Sequence, residues 1–165
     1  RTLATHYGVD CLDTDKLVEV RAGKSVRQIF ADDGEPVFRE IESDVLAECL
    51  RSPLGAVIAG AGGVVVSESN RSVLNTARAE SGALVVWLHA RPDVLAQRTA
   101  KGGHRPLLDD DREGTLVKLS EERAPLYSSV ADIVIDVSDR SQESVCALLI
   151  DAIDEALKYG DGSNE

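Results

Sequence analysis

Ala83-Leu84-Val85-Val86-Trp87-Leu88 carries no charge, and Pro92 follows it closely. An apolar run that does not alternate with polar residues reads as a strand buried on both faces, as in the parallel sheets of α/β proteins. Pro92 suits the first turn of a helix continuing through Val94 and Leu95. Outward from this unit the rhythm repeats. Val9-Asp10-Cys11-Leu12 ends in Asp13-Thr14-Asp15, Ala56-Val57-Ile58-Ala59 is stopped by Gly60-Ala61-Gly62-Gly63, and Ile133-Val134-Ile135 forms a further run. Between them Val37, Phe38, Ile41, Val45, Cys49 and Leu50 recur at helical spacing. Val145, Leu148, Leu149, Ala152, Ile153, Ala156 and Leu157 form the stripe of a last helix, with Ser141 as its N-cap. Strand alternating with helix predicts one α/β domain over residues 1–158, followed by a polar tail, 159–165. The glycine-rich, charged stretch at about 101–112 breaks the rhythm and is a candidate lid.

Composition narrows the function. The chain has 165 residues, 43% of them apolar, enough for a real core. Lys and Arg number 18 against 29 Asp and Glu, a net charge of -11. That balance excludes nucleic-acid binding through a general basic face, so any anionic ligand must be held by a few arginines placed locally. No apolar run approaches the roughly 18 residues of a membrane span, and no secretory signal is evident, which points to the cytoplasm. Cys11, Cys49 and Cys146 are odd in number and far apart, and read as buried thiols of a reducing compartment. The sequence contains no Met and starts at Arg1, so a native start further upstream is expected.

Ligands of parallel sheets bind beyond the carboxyl ends of the strands, and two of those ends carry unusual residues. Asp13 and Asp15 follow the first strand. Two carboxylates at a cleft mouth could hold a hydrated Mg2+ and orient a hydroxyl; capping of the next helix is the alternative. Gly60 to Gly63 would let backbone N–H groups approach an anion, or simply make a tight turn. Arg39, Arg105 and Arg123 could each bind a carboxylate or phosphate in fork geometry, and surface ion pairs are the alternative for each. Ala22-Gly23-Lys24-Ser25 looks like the end of a phosphate loop, but the first glycine of that pattern would fall on Val18. A helix-to-helix turn is expected there.

Taken in order, these residues resemble shikimate kinase. Leu12-Asp13-Thr14-Asp15 is similar to that family's DTD motif. Arg21 to Val26 with Ile29-Phe30 and Asp33-Gly34-Glu35 is similar to its RxGxSIxxIFxxxGE segment. Phe38-Arg39-Glu40-Ile41-Glu42 resembles FRxxE, Gly62-Gly63 falls in its glycine triplet, Arg105-Pro106-Leu107-Leu108 in its lid, and Arg123 to Tyr127 resembles RxPLY. The resemblance implies an α/β three-layer sandwich of the P-loop kinase type, with a five-stranded parallel sheet flanked by helices. It implies phosphorylation of the 3-hydroxyl of shikimate by MgATP, on the route to chorismate and the aromatic amino acids, by a cytoplasmic monomer. Asp15 would bind the ring hydroxyls and act as base, and Arg105 would stabilise the transferring phosphoryl group. Arg39, Arg123 and the Gly62-Gly63 backbone would hold the shikimate carboxylate, with Glu42 fixing Arg39 and with Phe30 and Phe38 walling the ring. Asp13 would support Mg2+ through water, and Arg105 and Arg140 would meet ATP.

The resemblance also implies that the first strand and the phosphate-binding loop lie upstream of Arg1. A polypeptide lacking them is expected to be unstable and inactive. The first glycine of the triplet is Ala61 here, at a cost of roughly 1 kcal/mol if the position needs a positive φ. Two alternatives remain open: a gluconate-kinase-like enzyme of the same fold, and a non-catalytic relative that binds shikimate.

Overall fold

A computed structural model describes residues 1–100 and 111–160. It divides into two compact units, Arg1–Ala83 and Leu84–Glu165.

The first unit holds α1 (Thr2–Tyr7), β1 (Asp10–Asp13), α2 (Thr14–Ala22), α3 (Val26–Asp32), α4 (Gly34–Leu50), β2 (Ala56–Ala59) and α5 (Glu68–Ser81). The local chemistry of each boundary is legible. Asp13 caps α2, and Gly23 ends it in the left-handed conformation at φ 64°. Ser25 and Gln28 then form a capping box that starts α3. Residues 22–25 are therefore the expected helix-to-helix turn, clipped by Lys24 Nζ on Asp33 at 2.8 Å and on Asp32 at 3.3 Å. β1 and β2 pair in parallel, from Asp10 beside Ala56 to Asp13 beside Ala59. Val18, Ile29, Phe38, Val45 and Cys49 make the core, with Leu12 and Ile58 of the strands packed on it.

The second unit holds β3 (Val86–His89), α6 (Pro92–Ala100), α7 (Arg112–Ser128), β4 (Ile133–Asp136) and α8 (Gln142–Gly160). β3 and β4 also pair in parallel, Val86 beside Ile133 through His89 beside Asp136. Ala90, Ile135 and Val137 form the core, joined by Leu95 and by Val145, Leu148, Leu149 and Ala152 of α8. The Ser141 hydroxyl accepts the Ser144 N–H at 3.2 Å, as an N-cap does.

These are the four strands that the sequence places within the chain, and their parallel pairing is the α/β pattern expected. Three details differ. The run at 83–88 starts regular pairing only at Val86, because the residues before it are engaged otherwise. The Ala83 N–H closes α5 on the Ala77 carbonyl, and the Val85 N–H is taken by the Asp132 carboxylate at 2.8 Å. The strands are not buried on both faces: Leu88 is 50% and Val134 57% exposed, while Ile135 beside it is buried. β4 alternates, with Ile135 turned into the core and its neighbours Val134 and Asp136 exposed. Cys49 is buried as expected, Cys146 partly, and Cys11 is exposed; all three are free.

At the boundaries, 101–110 of the expected lid lie outside the described residues. Asp111 caps α7 by accepting the Gly114 N–H at 3.0 Å, and Arg112 opens that helix. α8 extends to Gly160, so the tail starts two residues later than expected, and 161–165 lie outside the described residues.

Candidate active site

Because β1 and β2 end in register, the loops after Asp13 and Ala59 leave from one edge. Thr14, fully buried, ties them: its hydroxyl donates to the Ala59 carbonyl at 3.2 Å. Asp13 does act as a cap, with Oδ1 accepting the Lys16 N–H at 3.4 Å. Asp15 stands exposed in the first turn of α2, where the helix dipole favours a carboxylate.

α4 brings the guanidinium. Arg39 Nη1 donates to Glu42 Oε2 at 2.8 Å, while Nε and Nη2 reach Glu35 Oε1 at 3.2 and 3.0 Å. Glu42 has no exposed surface, although it is charged and in mid-helix. Burial alone lowers the Arg39 pKa, but the two carboxylates outweigh it and hold it above the ordinary value. The guanidinium is thus a fixed positive charge. Its Cζ lies 5.1 Å from the centroid of the Phe38 ring. Phe38 is a core residue, only 4% exposed, and it meets the site through Arg39. Phe30 is half-buried against it, ring centroids 4.7 Å apart.

The glycine loop closes the arrangement. Its role is close approach rather than unusual backbone, since no non-glycine residue has a positive φ among the described residues and neither Gly62 nor Gly63 has one. Ala61 is therefore unstrained, and the cost foreseen for it does not arise. Gly63 is different. A Cβ there would fall 2.6 Å from Arg39 Nη2 and 2.8 Å from Cζ, and nearer still to Nη1. The guanidinium is seated on the Gly63 backbone, and only glycine admits it. Gly62 beside it is exposed.

The sequence reading missed the supports of this seat. Glu35 appeared only as part of a motif. Asn70, 1% exposed, donates to the Val64 carbonyl at 3.0 Å. Arg71 Nη1 donates to the carbonyls of Val65 and Val66 at 2.7 and 2.9 Å. The available signal was Ser67 as N-cap of α5, which places Asn70 and Arg71 in the turn facing the loop.

The second unit carries the remaining predicted residues. Arg123 is half-buried on α7, and Tyr127 of the same segment stacks on Trp87, centroids 5.0 Å apart and planes 12° from parallel. Arg140 is exposed and donates from Nε to the Asp136 carbonyl at 3.0 Å. The Asp136 carboxyl is held down to about 2 by hydrogen bonds from Ser138, with help from His89 at 3.5 Å. Arg91 is held above its ordinary range by Asp139, to which it makes two hydrogen bonds. Arg98 donates to the carbonyls of Val137 and Ser138 at 2.7 and 3.2 Å. Arg105 lies outside the described residues.

The donor set fits a hydrated magnesium ion better than an all-protein metal cage. Among the described residues, no group of three or more His, Cys, Asp or Glu could hold a metal. A single hard carboxylate such as Asp13 suits Mg2+, which keeps its waters and is shared with phosphates.

Parallel strands alternating with helices, with carboxylates after β1, make this an α/β protein, and its likeness to solved shikimate kinases gives it the P-loop kinase type of fold. The shikimate kinase of Acinetobacter baumannii, solved in complex with shikimate, matches with a TM-score of 0.83 and 30% identity, over 93% of this chain and 83% of that one. The shikimate kinase of Aquifex aeolicus matches with a TM-score of 0.73 and 26% identity, over 98% and 89%. In sequence, the shikimate kinase of a Marinomonas species is 40% identical over 160 residues, 96% of this chain and 85% of its own length. That of Thermobifida fusca is 39% identical over 149 residues, 90% and 83%. The family model for shikimate kinase matches residues 1–154. The chain belongs to the shikimate kinase family.

Proposed function

We propose that the protein transfers the γ-phosphoryl group of ATP to the 3-hydroxyl of shikimate, giving shikimate 3-phosphate and ADP for the synthesis of chorismate and the aromatic amino acids. The observation that carries this reading is the Arg39 fork, charged at all relevant pH values and seated on Gly63 beside the carboxyl ends of β1 and β2. A preset guanidinium binds a carboxylate with little reorganisation.

Phosphoryl transfer needs positioning and charge stabilisation more than covalent chemistry. ATP, when bound with Mg2+, supplies the phosphoryl group and the metal that neutralises its charge. The residues of this chain do the rest. Arg39 and Arg123 clamp the shikimate carboxylate, helped by the backbone at Gly62 and Gly63. Glu42 keeps Arg39 in place. Asp15 orients the ring hydroxyls and accepts the proton of the attacking one. Phe30 walls the ring, and Phe38, expected to do the same, instead backs Phe30 and Arg39 from the core. Arg105 steadies charge on the group in flight, Arg140 meets the adenine end of ATP, and Asp13 orders a water of the metal. We read residues 1–158 as one kinase domain, monomeric and cytoplasmic; the family match over 1–154 and the three free thiols support this.

Isothermal titration and steady-state kinetics on wild type and Arg39→Ala test the reading. Wild type should bind and phosphorylate shikimate. The variant should raise the KM for shikimate on the order of 100-fold, as loss of one partner of a desolvated charge pair does, and leave the KM for ATP nearly unchanged. Equal effects on both substrates, or phosphorylation of gluconate instead, would overturn it. Shikimate binding without turnover in the full-length protein would favour a non-catalytic relative.

A further inference from the structure

The turn from Ala61 to Val66 is held almost entirely through its carbonyls. The Ala61 carbonyl accepts the Val64 N–H and the Gly63 carbonyl accepts the Val66 N–H, both at 3.0 Å. Asn70 takes the Val64 carbonyl, and one nitrogen of Arg71 takes those of Val65 and Val66. Val64 and Val65 are buried beneath it. The first turn of α5 is itself fixed, since the Ser67 hydroxyl accepts the Asn70 N–H at 3.3 Å and the Ser67 carbonyl accepts the Arg71 N–H at 3.1 Å.

A guanidinium spent on main-chain carbonyls, next to a buried amide doing the same, is a costly way to make a turn. An ordinary turn closes with its own backbone. What this turn must do in addition is keep Gly63 against the Arg39 guanidinium, which occupies the space a Cβ at Gly63 would need. We infer that Arg71, with Asn70, is a positioning residue for the substrate carboxylate: it fixes the glycine turn, and the turn fixes Arg39. The inference rests on the shikimate kinase reading above. Neither residue touches substrate in this account. Each acts through the loop, so its loss should weaken shikimate and leave the nucleotide alone.

The test uses the full-length protein with Arg71→Met and Arg71→Lys. A lysine nitrogen has donors for both carbonyls, and methionine has none. Arg71→Met should raise the shikimate Kd about tenfold by titration, with the KM for ATP within twofold of wild type. Arg71→Lys should restore most of the affinity. Amide hydrogen exchange over residues 62–66 gives a second readout that needs no substrate, and it should speed up about tenfold in Arg71→Met and recover in Arg71→Lys. That measurement decides the clamp even if wild type proves not to bind shikimate, an outcome that would sink only the functional reading. If Arg71→Met does not fold, Arg71→Gln takes its place, its amide being two bonds shorter. An unchanged Kd, unchanged exchange, equal losses for shikimate and ATP, or unfolding of both variants would overturn the inference.

Discussion

Arg39 and Arg91 are made of the same parts, a guanidinium between two carboxylates. Their nitrogen–oxygen distances are alike: 3.0 and 2.8 Å to Glu35 and Glu42 for Arg39, 3.3 and 2.7 Å to Asp93 and Asp139 for Arg91. Their surroundings are not. The Glu42 side chain is 0% exposed, and Gly63 backs the guanidinium. Asp93 and Asp139 are 51% and 75% exposed, in reach of water and salt. Buried charges interact strongly but must be fully partnered, while exposed ones are screened. The difference teaches that an arginine becomes a binding anchor through what removes water around it, and not through the number of acids beside it.

The largest expected break in this comparison is Glu42→Ala. Removing one partner of a buried pair strands the other, so unfolding by urea should show a loss of about 3 kcal/mol. A loss below about 1 kcal/mol would place Arg39 with Arg91 among the surface pairs.

Gly63→Ala should be milder for the fold and sharp for function. The new Cβ meets only the far end of a flexible side chain, so stability should fall little. The guanidinium must move, however, and the KM for shikimate should rise on the order of tenfold or more. Wild-type kinetics in that variant would show that the seat on Gly63 is incidental.

The smallest effect belongs to the exposed cluster. The Asp136 carboxyl is held at about 2, and that of Asp139 below its ordinary value of 3.8 by hydrogen bonds from Arg91. A carboxyl lowered in the folded state lends stability above its unfolded pKa. That contribution is lost as the pH falls through the folded value, here between about 3.8 and 2. Asp139→Asn should therefore remove this small contribution, lowering the melting temperature slightly at pH 7 and not at all in strong acid, which flattens a shallow acid slope. A clear drop at pH 7 would mean that the Arg91 pairs stabilise the fold as strongly as the buried one.

Much of this was legible in the sequence because local chemistry carries it. The strands at 56–59 and 133–136, the turn at 22–25 and the cap at Ser141 follow from apolar runs, glycine and short hydroxyl side chains acting on their neighbours. Asp13, Asp15, Arg39 and Gly63 stand out in the sequence as motif residues; the structure adds the contact between the last two. The FRxxE motif pairs Glu42 with Arg39, and the structure has that contact. What escaped was the rest of the support, since nothing local marks Glu35 as a second partner or Asn70 as buried. The degree of strand burial escaped too, because an apolar run records affinity for a core and not how many neighbours cover it.

The sequence by itself determined the alternation of strand and helix, the turn chemistry and the family, because each rests on residues close together in the chain or on ordered motifs. Only the tertiary structure decided which charges lose their water. Glu42 is fully buried, and Arg39 is seated on Gly63, because α4 packs against α2, α3 and α5 and so meets the loop between β2 and α5. Desolvation depends on atoms brought together from distant parts of the chain, and no local pattern of residues encodes it.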